Sequence, residues 1–159
     1  MRLASSGKLS TGKRPKKKVS DKTERKRLIS ELDQLISQVC KKRWGGRCGI
    51  CGGPGSQAHH YFSRKSYGSV RWDMENLIWL CFSCHIRRVH QGGDVELARD
   101  AIIHKLGVDG FDRLKVRANK VCKITVLDLI KIRESLLNER RGMNNEHQIS
   151  PDGAQEGQD

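Results

Sequence analysis

Residues 47–90 read RCGICGGPGSQAHHYFSRKSYGSVRWDMENLIWLCFSCHIRRVH. The stretch opens with Cys48-x-x-Cys51 and closes with Cys81-x-x-Cys84. Two such pairs supply four sulfurs, enough for one tetrahedral structural zinc. The 29 residues between the pairs leave room for a hairpin whose ends the zinc ties together. Inside the stretch stand adjacent His59 and His60, then Asn76, and His85 follows the last cysteine directly. A four-thiolate zinc site has no need of these residues. Two neighbouring imidazoles and a third beside the knuckle therefore point to chemistry as well as to stability.

The whole chain sets bounds on that reading. Its 159 residues suit one domain with tails. The net charge of +13, from 31 basic and 18 acidic residues, favours a polyanionic partner, most simply nucleic acid. The longest apolar run, Leu77 to Phe82, has six residues and cannot span a bilayer, so no membrane partner is expected. No charged-then-apolar signal opens the chain, so the cytoplasm is the expected compartment. There, six cysteines favour metal binding over a disulfide framework.

Outward from the core, residues 1–20 carry seven basic residues and no acid, which predicts a disordered basic tail able to clamp phosphates. Residues 21–43 predict an amphipathic helix with Leu28, Leu32, Leu35, Ile36 and Val39 on one stripe, Ser20 as N-cap and Gly45-Gly46 as its end. The zinc-stapled core spans 44–92. A strand is expected at Gln57–Phe62 and its hairpin partner within Val70–Leu80, with a turn at Asp73–Asn76. A helix is expected to begin near Cys84, with Ile86 and Val89 on one face. A helical extension covers 93–141: one helix from Asp94 to Leu106 capped by Gly107, an ambiguous segment from Gly110 to Lys120, and a last helix from Thr125 to about Arg140. Leu127, Ile130, Leu136 and Leu137 are its expected apolar face. Cys40 reads as a half-buried small hydrophobe and Cys122 as a buried one. Residues 142–159, with four acids and no lysine or arginine, predict a disordered tail. The fold class is α+β.

His59-His60, Asn76 and the Cys84-His85 pair resemble the HNH endonuclease motif, and Asn76 stands nine residues before His85 as that motif asks. The longer run AHHYFSRKSYGSVRWDMENLIWLCFSCH is similar to phage recombination nucleases of the NinG (Rap) family. Leu106-Gly107 at a helix end and Lys-Ile-Thr opening the last helix continue the likeness, which covers roughly residues 44–140. The resemblance implies a ββα-metal core and a metal-dependent DNA endonuclease acting in phage recombination or replication, with branched DNA as a candidate substrate and the host cytoplasm as its place. It implies that His60 is the general base, that His59 and His85 hold a catalytic Mg²⁺ or Mn²⁺, and that Asn76 braces the loop and orients His60. His90 is a further candidate ligand, one position beyond the Val89 that an ordinary helical turn would bring round.

Arg64, Lys65, Arg71, Arg87 and Arg88 flank these elements and are expected to contact phosphate. Trp44, Trp72 and Trp79 are expected in the core, and Asp73 and Glu75 in the turn. Two other readings fit the same residues: a non-catalytic, zinc-stabilised nucleic-acid-binding module, and an HNH nuclease acting in phage DNA packaging.

Overall fold

The computed structural model describes residues 20–145. The expected tails fall outside these residues, except for Ser20 and for 142–145, which continue the last helix. The order is α1 (Asp21–Arg43), β1 (Gln57–His60), β2 (Leu77–Leu80), a π-type helix (Ser83–Gln91), α2 (Val95–Ala118) and α3 (Val126–Asn145), a mixed α+β arrangement. Among the described residues, no helix is long and apolar enough to cross a membrane.

Helix α1 begins where Ser20 Oγ accepts the Thr23 N–H at 3.3 Å. It ends where Gly45 and Gly46 take φ of 59° and 68° and the Gly46 N–H returns to the Lys41 carbonyl at 2.8 Å. All five predicted stripe residues are buried, and so is Cys40, whose thiol burial pushes up to about 12. Helix α3 lies beside α1. Arg133 reaches Glu31 at 2.5 Å and Arg140 reaches Gln38 at 3.0 Å, so the two helices run parallel. Thr125 and Asp128 cap α3 reciprocally, the Asp128 carboxylate accepting the Thr125 N–H at 2.8 Å and Thr125 Oγ1 accepting the Asp128 N–H at 3.2 Å.

The apolar face of α3 agrees with the expected one at Leu136 and Leu137, which pack on the core, and differs from it at Leu127 and Ile130. Leu129 and Leu136 are buried, while Leu127 and Ile130 stand 60% and 38% exposed. The side turned to α1 carries Val126, Leu129, Ile132 and Leu136, with Arg133 and Arg140 at its edge. In α2, Gly107 (φ 74°, ψ 169°) ends one helical segment as predicted, and a second begins directly after it. That ambiguous segment is helical because Phe111, Leu114 and Ala118, at steps of three and four, are buried on one side. Cys122 is exposed, a correction to its expected burial, because it lies in the extended link between α2 and α3.

β1 and β2 form an antiparallel pair with Gln57 opposite Leu80 and His60 opposite Leu77. Every residue of β2 is buried. Successive residues on a strand face opposite ways, so Leu77 and Trp79 enter a core with α1 and α3. Ile78 and Leu80 enter a second core with α2, Val89 and the knuckle cysteines Cys48 and Cys84. This strand is thus the wall between two cores. Trp72 and Trp79 are buried, and Trp44 packs against both cores with its Nε1–H on the Leu77 carbonyl at 3.1 Å.

Candidate functional site

Among the described residues, two groups of metal-ligating atoms converge, each with its atoms within 4.8 Å of one another. The first is Cys48, Cys51, Cys81 and Cys84. Cys51 Sγ and Cys81 Sγ stand 3.8 Å apart, and sulfurs tetrahedral about one zinc at about 2.3 Å are separated by roughly 3.8 Å. The cluster can therefore hold a zinc ion. Its first loop turns at Gly52 (φ 72°) and is tied to β2 by the Gly49 N–H on the Trp79 carbonyl at 2.8 Å. A side chain at Gly49 would meet Trp44 at 2.6 Å and Ile78 at 2.8 Å, so the close approach needs glycine. Although burial opposes it, the backbone amides of Cys51, Cys81 and Ile50 bring the Cys48 thiol down to about 7. Burial and the adjacent thiols push Cys84 up to about 12. Sulfurs this close carry several negative charges only around a cation.

The second group is His59, His85 and His90. His85 Nε2 and His90 Nε2 stand 3.1 Å apart, and the three rings meet edge to face with centroids 4.8–5.3 Å apart. His59 is 8% exposed, and burial followed by the neighbouring His85 and His90 pushes its pKa down to about 3. Burial and then His90 also lower that of His85. Both rings are therefore neutral near pH 7, the form that binds metal. His90 joins because Ser83–Gln91 is π-type. Its i→i+5 pattern brings residues five apart onto one face, whereas the expected α-helix would have brought round Val89, which is buried in the core instead.

His60 points elsewhere but opens on the same cleft of about 500 Å³, lined also by His59, His85, His90, Asp33, Ser37 and Arg64. Its Nε2 lies 2.9 Å from the Arg71 carbonyl oxygen. A carbonyl only accepts, so Nε2 carries the proton and Nδ1 keeps its lone pair. Burial lowers the His60 pKa, more than the Arg71 carbonyl raises it, so the ring is neutral at neutral pH.

Asn76 is fully buried. Its Oδ1 accepts the Phe62 N–H at 2.7 Å, and its Nδ2 donates to the Phe62 and Val70 carbonyls, each at 3.0 Å. It closes the loop between β1 and β2 and thereby holds Arg71, the residue that pins His60. Its hold on His60 runs through the backbone, with no hydrogen bond between the two side chains. Asn76→Ala strands three backbone groups, the Val70 carbonyl buried and the two of Phe62 part-buried, each costing roughly 1–3 kcal/mol where water does not reach it. The expected destabilisation is about 3 kcal/mol or more in chemical denaturation, and a loss below about 1 kcal/mol would show that water replaces the amide.

The five cations divide. Arg71 is the most firmly paired of them. It is bound to Asp33 through Nε at 3.1 Å and Nη2 at 2.6 Å, and its guanidinium lies over Trp72 at 5.1 Å. Arg64 is exposed and its Nη1 stands 3.6 Å from the same carboxylate at the cleft. Arg88 is exposed and loosely paired with Asp94 at 3.9 Å. Lys65 and Arg87 are exposed with no ion pair among the described residues. Asp33 has no place in the sequence reading. Burial raises its pKa, but the Arg71 bonds, the Trp72 indole and Arg64 outweigh it and hold the carboxyl below the usual range. Its available signal was the polar pair Asp33 and Ser37, one turn apart beside the apolar stripe of α1. Asp73 and Glu75 serve the turn and both bind Arg117.

No curated protein and no solved structure matches the chain. A family model described as Bacteriophage Lambda NinG protein matches residues 5–146, nearly the whole chain, and covers both converging clusters. The chain belongs to the NinG family.

Proposed function

We propose that the protein is a metal-dependent DNA endonuclease that hydrolyses phosphodiester bonds, its centre of the ββα-metal (HNH) type built from β1, β2 and the π-type helix. The observation that carries this reading is the convergence of His59, His85 and His90 beside His60 in one cleft, apart from the four-cysteine cluster. His59, His85 and His90 would hold the divalent ion, which when bound would supply positive charge to the phosphate in the transition state. Three imidazole nitrogens with no carboxylate suit Mn²⁺, Co²⁺, Ni²⁺ or Zn²⁺ better than Mg²⁺, which prefers oxygen. His60 Nδ1 takes the proton from the attacking water, while the Arg71 carbonyl keeps the ring in the tautomer and orientation for that task. Arg64, Lys65, Arg87 and Arg88 hold phosphates along the approach. Membership of the NinG family suggests a role in phage recombination, and branched DNA is a candidate substrate.

Supercoiled plasmid, a flap and a four-way junction, each incubated with Mn²⁺, Co²⁺, Ni²⁺ or Mg²⁺, test this. Cleavage is expected with the transition ions at rates above that with Mg²⁺, and it should vanish in His59→Ala. Intact DNA under every condition would leave a zinc-stabilised nucleic-acid-binding module in its place.

A further inference from the structure

We infer that Gln57 is a positioning residue whose side-chain carbonyl fixes the tautomer of His85, so that His85 presents Nε2 to the ion. The inference rests on the reading of the histidine cluster as a metal centre.

Gln57 Oε1 lies 2.5 Å from His85 Nδ1. An amide oxygen only accepts, so Nδ1 carries the ring proton and Nε2 is left with its lone pair. Nε2 is also the atom 3.1 Å from His90 Nε2. Two nitrogens bound at about 2.1 Å to one ion stand roughly 3.0–3.4 Å apart at right-angled to tetrahedral geometry. In the opposite tautomer, the Nε2–H of His85 would point into that space and exclude a cation.

Local structure explains why these groups meet. Gln57 and His59 are two apart on β1 and face the same side of the pair. His85 is therefore touched by both, one holding its far nitrogen and the other beside its near edge. Gln57 stands opposite Leu80, the residue before Cys81, and the His85 N–H bonds the Cys81 carbonyl at 2.9 Å. Both ends of the Gln57–His85 bond thus hang from Leu80 and Cys81, where β2 meets the second cysteine pair. A neutral amide in this place leaves the imidazole less basic than a carboxylate would, which sets the direction of the test.

Partners of ligating histidines change metal affinity by about 10–100-fold when removed. Gln57 is exposed, so water takes over part of its bond, and about tenfold is expected. The full chain, brought to one zinc per molecule, is titrated with Co²⁺ followed by its visible spectrum and with Mn²⁺ followed by calorimetry. Gln57→Leu should raise the dissociation constant at the histidine site about tenfold, with zinc content and melting temperature unchanged. Gln57→Glu should restore binding to the original strength or beyond. Equal affinity in Gln57→Leu and the parent overturns the inference and leaves the histidine centre standing, as does a loss that Gln57→Glu fails to rescue. A parent protein that takes up no second ion of any kind overturns the inference and the metal-centre reading together.

Discussion

Cys81→Ser is expected to abolish zinc retention and the cooperative thermal transition with it. Structural zinc contributes on the order of 10–16 kcal/mol of apparent binding energy. That is comparable to the roughly 5–15 kcal/mol by which a whole domain is stable. The loss would not stay local. Cys81 follows directly on β2, and the first cysteine loop is fastened to the same strand through the Gly49 N–H and the Trp79 carbonyl. Ile78 and Leu80 belong to the core that includes Cys48 and Cys84, whereas Leu77 and Trp79 belong to the core of α1 and α3. Loosening one end of this strand therefore loosens both. Metal content by mass spectrometry and a melt followed by circular dichroism check the prediction. A zinc-free variant that still melts sharply at the original temperature would contradict it.

His60→Ala is expected to lower the cleavage rate by about 10²–10⁴, the usual worth of a positioned general base, or roughly 3–5 kcal/mol in the barrier. The fold should survive, since the one side-chain hydrogen bond given up is that to the Arg71 carbonyl. Metal uptake at His59, His85 and His90 should also survive, because His60 is not among those converging atoms. The pairing of intact metal binding with lost cleavage separates this variant from His59→Ala, which should lose both. Cleavage by His60→Ala at the original rate, with the ion bound, would remove His60 from the role of base.

The sequence made the cysteine cluster and α1 legible because each is specified locally. Two C-x-x-C turns define four ligands, and an unbroken stripe with a serine before it and two glycines behind it defines a helix to the residue. The hairpin could be read for the same reason, from short apolar runs around a turn that Asp73 caps. What stayed hidden depended on partners distant in sequence. The face of α3 is chosen by α1, about a hundred residues earlier, so Leu127 and Ile130 look apolar in periodicity and yet lie outside the contact. The Arg71–Asp33 pair joins residues 38 apart, so neither shows its partner in the sequence. Gln57 looks like an ordinary strand residue until His85 is folded back onto it. His90 was obscured by backbone geometry, because residue counting assumes an ordinary helical pitch.

The broad coil of Ser83–Gln91 absorbs one more residue per circuit than a standard helix. A protein with one residue fewer between the two imidazoles would deliver the same pair with a standard coil. Spacings of four and five are therefore interchangeable currencies of length and angle, and a search pattern that insists on one of them will pass over chains that chose the other.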